Sequence, residues 1–146
     1  MSSVESQSRL ETTNLVYLLL GDLREALGGG LDAPANRRWT MAVVQQLLSA
    51  LTEEANWMQS EGYLSGVCEE WPNWSNQVEQ LSGAHAELHN QLRLLRDMLD
   101  QAGPTAQQLQ QIHIELRDWM AEISAHHRHE SRLLHMAYNL DVGAAD

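Results

Sequence analysis

Apolar residues recur along this chain at helical spacing, with no convincing two-residue alternation of the kind that marks strands. From about Ala35 to Ser60, the positions Val44, Leu47, Leu48, Leu51, Ala55 and Met58 follow the i, i+3, i+4, i+7 rhythm of one buried stripe. From about Asn73 to Gln101, Val78, Leu81, Leu88, Leu92, Leu95 and Leu99 keep the same register. A third stripe, from about Ala106 to Asn139, joins Leu109, Ile112, Leu116, Trp119, Ile123, Leu133 and Ala137. An earlier stretch from about Glu5 to Leu27 is also read as helix.

Glycine and proline separate these stretches. Gly28-Gly29-Gly30 makes continuation of the first helix costly, and Pro34 follows in the same link. Gly62 ends the second, and a longer connection through Tyr63 to Trp74 has room for one helical turn before Pro72. Gly103-Pro104 breaks the third, after which Thr105 and Gln108 stand at capping-box spacing. Residues 1–9 and 141–146 are expected to be irregular tails. The pattern predicts one all-α domain over 1–146, an antiparallel up-down-up-down four-helix bundle.

Composition narrows the function classes. A chain of 146 residues buries roughly 68–70% of its unfolded surface, enough for a core without staples. Its formal net charge is −11, and its nine basic residues are all arginine. Such a chain repels nucleic acid and anionic lipid, so neither is an expected partner. The lone Cys68 rules out an intrachain disulfide and a thiolate-rich zinc site, and suits a reducing cytoplasm. The start lacks the basic and apolar regions of a signal peptide. The run Leu15–Leu20 is far shorter than the ~20 residues a spanning helix needs. The expected location is therefore cytoplasmic.

Polar residues interrupt the stripes where hydrocarbon is expected. On a wheel turning about 100° per residue, His126 sits at the middle of the last stripe, flanked by Trp119, Leu133 and Ala137. Glu130 lies one turn on, displaced by about 40°. A carboxylate buried alone is costly, so it is paired, protonated or bound to metal. His127 and His129 fall toward opposite edges of the stripe, and His113 and His135 point away. In the third stretch His85 and His89 are also four apart, with His85 nearer the stripe. Two neutral imidazoles so placed can grip one ion. Ligands on facing helices are how bundles hold metals, and a nitrogen and oxygen set without thiolate suits iron, manganese or zinc.

At these residues the chain resembles the hemerythrin-like, or HHE cation-binding, family. Val78–His89 is similar to that family's third helix, and Trp119–Leu134, with His126 and Glu130 four apart before paired leucines, is similar to its fourth. Gly62-Tyr63-Leu64 and Trp71-Pro72 resemble the junction between helices two and three. The resemblance covers roughly residues 10–143. It implies a hemerythrin-like bundle with a non-haem di-iron centre held from all four helices, serving oxygen binding, sensing, or the handling of iron or a small gaseous ligand. This sequence departs from the pattern. Counted back from Gly62-Tyr63, the second-helix histidine position carries Glu54 and its glutamate partner is Met58, a poor ligand for a hard ion. The first-helix histidine corresponds to Asn14.

The expected function is thus a metal-binding protein with an incomplete di-iron ligand set: His85, His89, His126 and Glu130, with Glu54 as a further ligand. Iron is the first expected cofactor, with zinc or manganese as alternatives. The competing reading is a metal-free helical module that kept the fold. There Trp39, Trp57, Trp71 and Trp74 serve a protein partner, and exposed Leu20 and Leu94 serve a homodimer. No nucleophile-elbow, phosphate-loop or zinc-protease motif is present, so an enzyme is not expected.

Overall fold

The computed structural model describes residues 3–60, 73–101 and 103–145, with side-chain environments over 9–60, 73–101, 103–137 and 139. Among these residues there are four helices and no strand: α1 (Ser3–Gly28), α2 (Pro34–Met58), α3 (Asn73–Leu99) and α4 (Ala106–Ala145). The expected connection through Tyr63, Cys68, Trp71 and Pro72 lies outside the described residues. The helices extend further than the pattern suggested at both ends. Residues 3–9 and 141–145, expected to be irregular, are helical. No glycine or proline stands in 3–9 to stop a helix, and Gly143 alone is tolerated inside one. None of the four helices is both long and apolar enough to cross a membrane.

Local chemistry sets the turns. After α1, Gly29 and Gly30 donate backbone N–H groups to Ala26 and Leu27, and Gly30 takes a φ of 80° that favours glycine. Asn36, in the first turns of α2, reaches back and donates its Nδ2 to the Ala26 carbonyl at 2.6 Å and to the Gly30 carbonyl. One side chain thereby ties the two helices across the triglycine turn. Pro34 opens α2, where its missing N–H leaves no donor unmet. At the start of α4 the expected capping box is formed. The Gln108 N–H donates to Thr105 Oγ1 at 3.1 Å, and the Thr105 N–H donates to Gln108 Oε1 at 2.9 Å.

Each helix packs on two neighbours: α1 on α2, α2 on α3, α3 on α4, and α4 more sparsely back on α1. Val16 and Leu23 of α1, Leu47 and Leu51 of α2, Leu92 of α3, and Leu116, Trp119 and Ile123 of α4 are buried together in the main core. Each such side chain contributes about 1.5–3 kcal/mol by leaving water. Trp119 fills the core and also donates its indole N–H to the Leu88 carbonyl at 2.8 Å, which fixes α4 against α3. A second, smaller cluster of Trp74, Leu81, Leu133 and Ala137, with Met58 and Val78 against it, occupies a separate part of the bundle. Met58 is core filling, as its chemistry suggested. Leu20, expected to be exposed, is buried at 6% exposure, whereas Leu94 is 56% exposed.

Candidate functional site

Between the two apolar clusters the core turns polar. Along α2, Leu51 belongs to the main cluster and Met58 to the smaller one, with buried Glu54 between them. Along α3, Leu88 and Leu81 bracket buried His85, and along α4, Ile123 and Leu133 bracket buried His126 and His127. Three helices thus deliver a carboxylate and three imidazoles to one layer.

Glu54 is the centre of this layer. His85 Nε2 lies 3.2 Å from Glu54 Oε1, and His127 Nε2 lies 3.1 Å from Oε2 and 3.4 Å from Oε1. With the carboxylate as acceptor, each imidazole donates its Nε2–H. The electrostatics agree with that assignment. Burial alone pushes the Glu54 carboxyl upward, but hydrogen bonds and charge from His127 and His85 outweigh it and hold the pKa at about 2. Burial likewise disfavours the charged form of His127, yet the Glu54 hydrogen bond, the Glu54 charge and, least, the Glu130 charge raise its pKa. The pair is an ionised carboxylate gripped by imidazole donors.

His126 is different. Its ring centroid is 5.7 Å from that of His85 and 5.9 Å from that of His127, tilted by about 50° to each. Its Nε2 is buried and has no hydrogen-bond partner. Burial first, then the neighbouring charge on His127 and His85, lowers its pKa to about 4, so the ring is neutral near pH 7. A buried imidazole nitrogen with nothing to bond costs about 1–3 kcal/mol, and native cores rarely leave such a group unexplained.

The other expected ligands divide. Glu130 is half-buried. It lines a small cavity of about 10 Å³ with Arg9, Thr13, Glu54, Trp57 and Met58. It also lines the wider groove between α1 and α4 with Tyr17 and His127. It is near Glu54 and open to that groove, not enclosed with His126 as the wheel suggested. His89 turns away from the layer. It lines a groove between α2 and α3 with Arg93 and Arg96, and burial, Arg93 and His85 together lower its pKa. Asn14, which the resemblance would set at a first-helix ligand position, is exposed. What α1 brings near this level is Thr12, whose hydroxyl donates to Glu53 at 2.9 Å. Of the tryptophans considered for a partner, Trp74 is buried, Trp57 half-buried and Trp39 exposed, while Trp71 lies outside the described residues.

His127 is the residue that sequence reasoning missed. The wheel put it at the edge of a stripe centred on His126. Because α4 packs against both α3 and α1, its buried arc is wide enough for two consecutive residues, as it is at Trp119 and Met120. The signal was available in that doubled step: adjacent positions at two levels of one helix, each facing a different neighbour.

A carboxylate and three imidazoles are donor types that transition-metal ions take in helical bundles. An ion bound at 2.0–2.1 Å to nitrogen and oxygen in a tetrahedral shell holds its ligand atoms roughly 3.3–3.4 Å apart. The contacts of 3.1–3.4 Å between Glu54 and the two imidazoles are direct hydrogen bonds, whose length overlaps that spacing. His126 adds a neutral nitrogen without a partner. As they stand, the donors face the carboxylate itself. Among the described residues, no three His, Cys, Asp or Glu side chains surround a common ion position. Glu54 already bonds two imidazoles, and the described α1 residues bring no His, Cys, Asp or Glu into this layer. No family model, curated protein or solved structure matches this chain.

Proposed function

We propose that this protein is a metal-binding helical bundle whose polar layer takes one transition-metal ion, iron first, with zinc or manganese as alternatives. Glu54, His85, His126 and His127 hold it. The observation that carries this reading is the buried, unpartnered Nε2 of His126 beside a carboxylate and two further imidazoles. Binding displaces the Glu54–His127 hydrogen bond, and the protonated form of His127, favoured by Glu54, gives up its proton to the solvent. Such an ion supplies Lewis acidity and, if iron, a redox couple that suits the sensing or handling of a small gaseous ligand. The chain's own contribution is a largely buried carboxylate and three imidazoles brought to one layer, with Trp119 fixing α4 to α3 through its bond to Leu88.

The finer architecture belongs to the same proposal. In α2 the order is Leu51, Glu54, Met58. In α3 it is Leu81, His85, Leu88, and in α4 Ile123, His126, Leu133. This order supports helices that alternate in direction, the up-down-up-down arrangement of a hemerythrin-like bundle with a reduced site. The test is elemental analysis of untagged protein, and of protein reconstituted with iron, zinc or manganese. About one ion per chain, lost in the His85→Ala, His126→Ala double variant, supports the reading. Protein that stays helical and takes up none of the three overturns it.

One observation favours a second reading. Glu54 and its two histidines already satisfy one another. In a metal-free module that network sets the register between helices, as buried polar groups do in other bundles.

A further inference from the structure

The groove between α3 and α4 has an apolar floor and an acidic rim. Its floor is formed by Leu95, Met98 and Trp119, with Leu94 standing 56% exposed at its edge. Glu115, Asp118 and Glu122 project from α4 along one side. The groove continues past Gln91 and Glu122 toward Ala84, Glu87, Ala125 and His126. The two parts enclose about 340 Å³ and about 450 Å³. On α3 it runs from Ala84 to Met98, about 21 Å at 1.5 Å per residue. That is the length of a helix of about four turns.

Its charge is one-sided. Four carboxylates line it, and no arginine does. Arg93 and Arg96, on the same helix α3, line the opposite groove toward α2. Arg96 is further engaged with Asp97 at 3.0 Å. His126, the one basic residue in the wall, stands in the far part of the groove beside Ala84 and Ala125, away from Glu115 and Asp118. An apolar floor with carboxylates along its α4 side is the complement of an amphipathic helix that carries lysine or arginine beside its apolar stripe. A second copy of this chain laid groove to groove brings acid against acid, which opposes a symmetric dimer there.

We propose that the α3–α4 groove is a docking surface for a basic amphipathic helix of a partner protein, seated on Leu94, Met98 and Trp119 and held by Glu115, Asp118 and Glu122. This proposal stands apart from the metal reading, because the substituted residues and the assay involve no proposed ligand and no ion.

The probe is a fluorescent synthetic peptide of about 15 residues, with leucine at i, i+3, i+4 and i+7 and lysine elsewhere. Binding is read by anisotropy. Wild-type protein binds it saturably, and a leucine–glutamate peptide of the same pattern does not bind. The triple variant Glu115→Arg, Asp118→Arg, Glu122→Arg weakens binding at least about tenfold. Leu94→Glu, at an exposed position that unfolding does not complicate, weakens it by a similar factor. The control triple Glu11→Arg, Glu25→Arg, Asp32→Arg changes net charge equally on surface away from the groove, and stays within about threefold of wild type. Circular dichroism verifies that each variant is helical. The proposal is overturned if the peptide does not bind, if the control triple loses as much as the rim triple, or if Leu94→Glu has no effect. It is also overturned if sedimentation shows a wild-type dimer that the rim triple dissociates, since the occupant is then a second copy.

Discussion

Replacing Glu54 with glutamine removes the charge on which the polar layer is organised while nearly preserving its volume. The structure sets the magnitude. The Glu54 carboxyl is lowered from 4.5 to about 2 by its two histidine partners despite its burial. At 1.36 kcal/mol per pKa unit, that displacement is worth about 3 kcal/mol of folding stability near neutral pH. Breaking a buried ionic pair by removing one member costs about 3–5 kcal/mol, which agrees. The sign follows from a depressed carboxylate. Its stabilisation is fully present above the unfolded value of 4.5 and is lost as pH falls from there toward 2. Urea unfolding of chelator-treated wild type and Glu54→Gln, followed by circular dichroism, therefore gives a difference of about 3 kcal/mol at pH 7. The difference shrinks steadily as the pH is taken below 4.5. A loss under about 1 kcal/mol at pH 7, or a difference that stays constant as the acid range is entered, refutes the view that Glu54 is an ionised carboxylate held by His85 and His127.

Two further outcomes follow from single contacts. His126→Leu removes a buried nitrogen with no partner, so the metal-free protein unfolds at equal or higher urea at pH 7, by up to about 1–3 kcal/mol. It also loses less stability between pH 6.5 and 4, where protonation of His126 in the unfolded chain opposes folding of the wild type. A clear destabilisation at neutral pH means the nitrogen has a role in the apo fold. Asn36→Ala frees the Ala26 and Gly30 carbonyls from their shared donor and lowers the thermal midpoint by about 1–3 kcal/mol equivalent, with amide exchange rising first at Gly28–Gly30. Unchanged exchange there contradicts its role as the clasp of the turn.

Much of the fold was written in the spacing of leucines. Three helices declare themselves by one-sided stripes, and Gly28–Gly30, Gly103 and the Thr105–Gln108 pair mark their ends through backbone chemistry that is local and therefore readable. What failed were features set by neighbours. The reach of α1 back to Ser3 and of α4 to Ala145 is not signalled by a stripe, because Val4 is the one apolar residue of 3–9 and Gly143 interrupts the small residues of 141–145. Leu20 looked exposed because the burial arc of α1 is wider than a single stripe. In the polar layer, the inward placement of His85 and His126 was legible from the stripes, and Glu54 was reached only through a resemblance. His127 was discounted and Glu130 was placed too deep, for one reason. A wheel assumes a single packing direction, whereas α4 is flanked closely by α3 and more openly by α1, so the true inward direction is rotated toward His127. His89 was a product of the same assumption, since four-residue spacing puts two histidines on one side of a helix without saying which neighbour that side meets.

The central claim is that the polar layer binds one cation through Glu54 and three histidines. Isothermal titration of chelator-treated, untagged protein with zinc, in two buffers of different ionisation enthalpy, tests it most directly. The account predicts saturation near one ion per chain, release of the His127 proton as the ion displaces its bond to Glu54, and loss of the signal in Glu54→Gln. No binding heat in either buffer, two ions per chain, or titration unchanged by that substitution contradicts it.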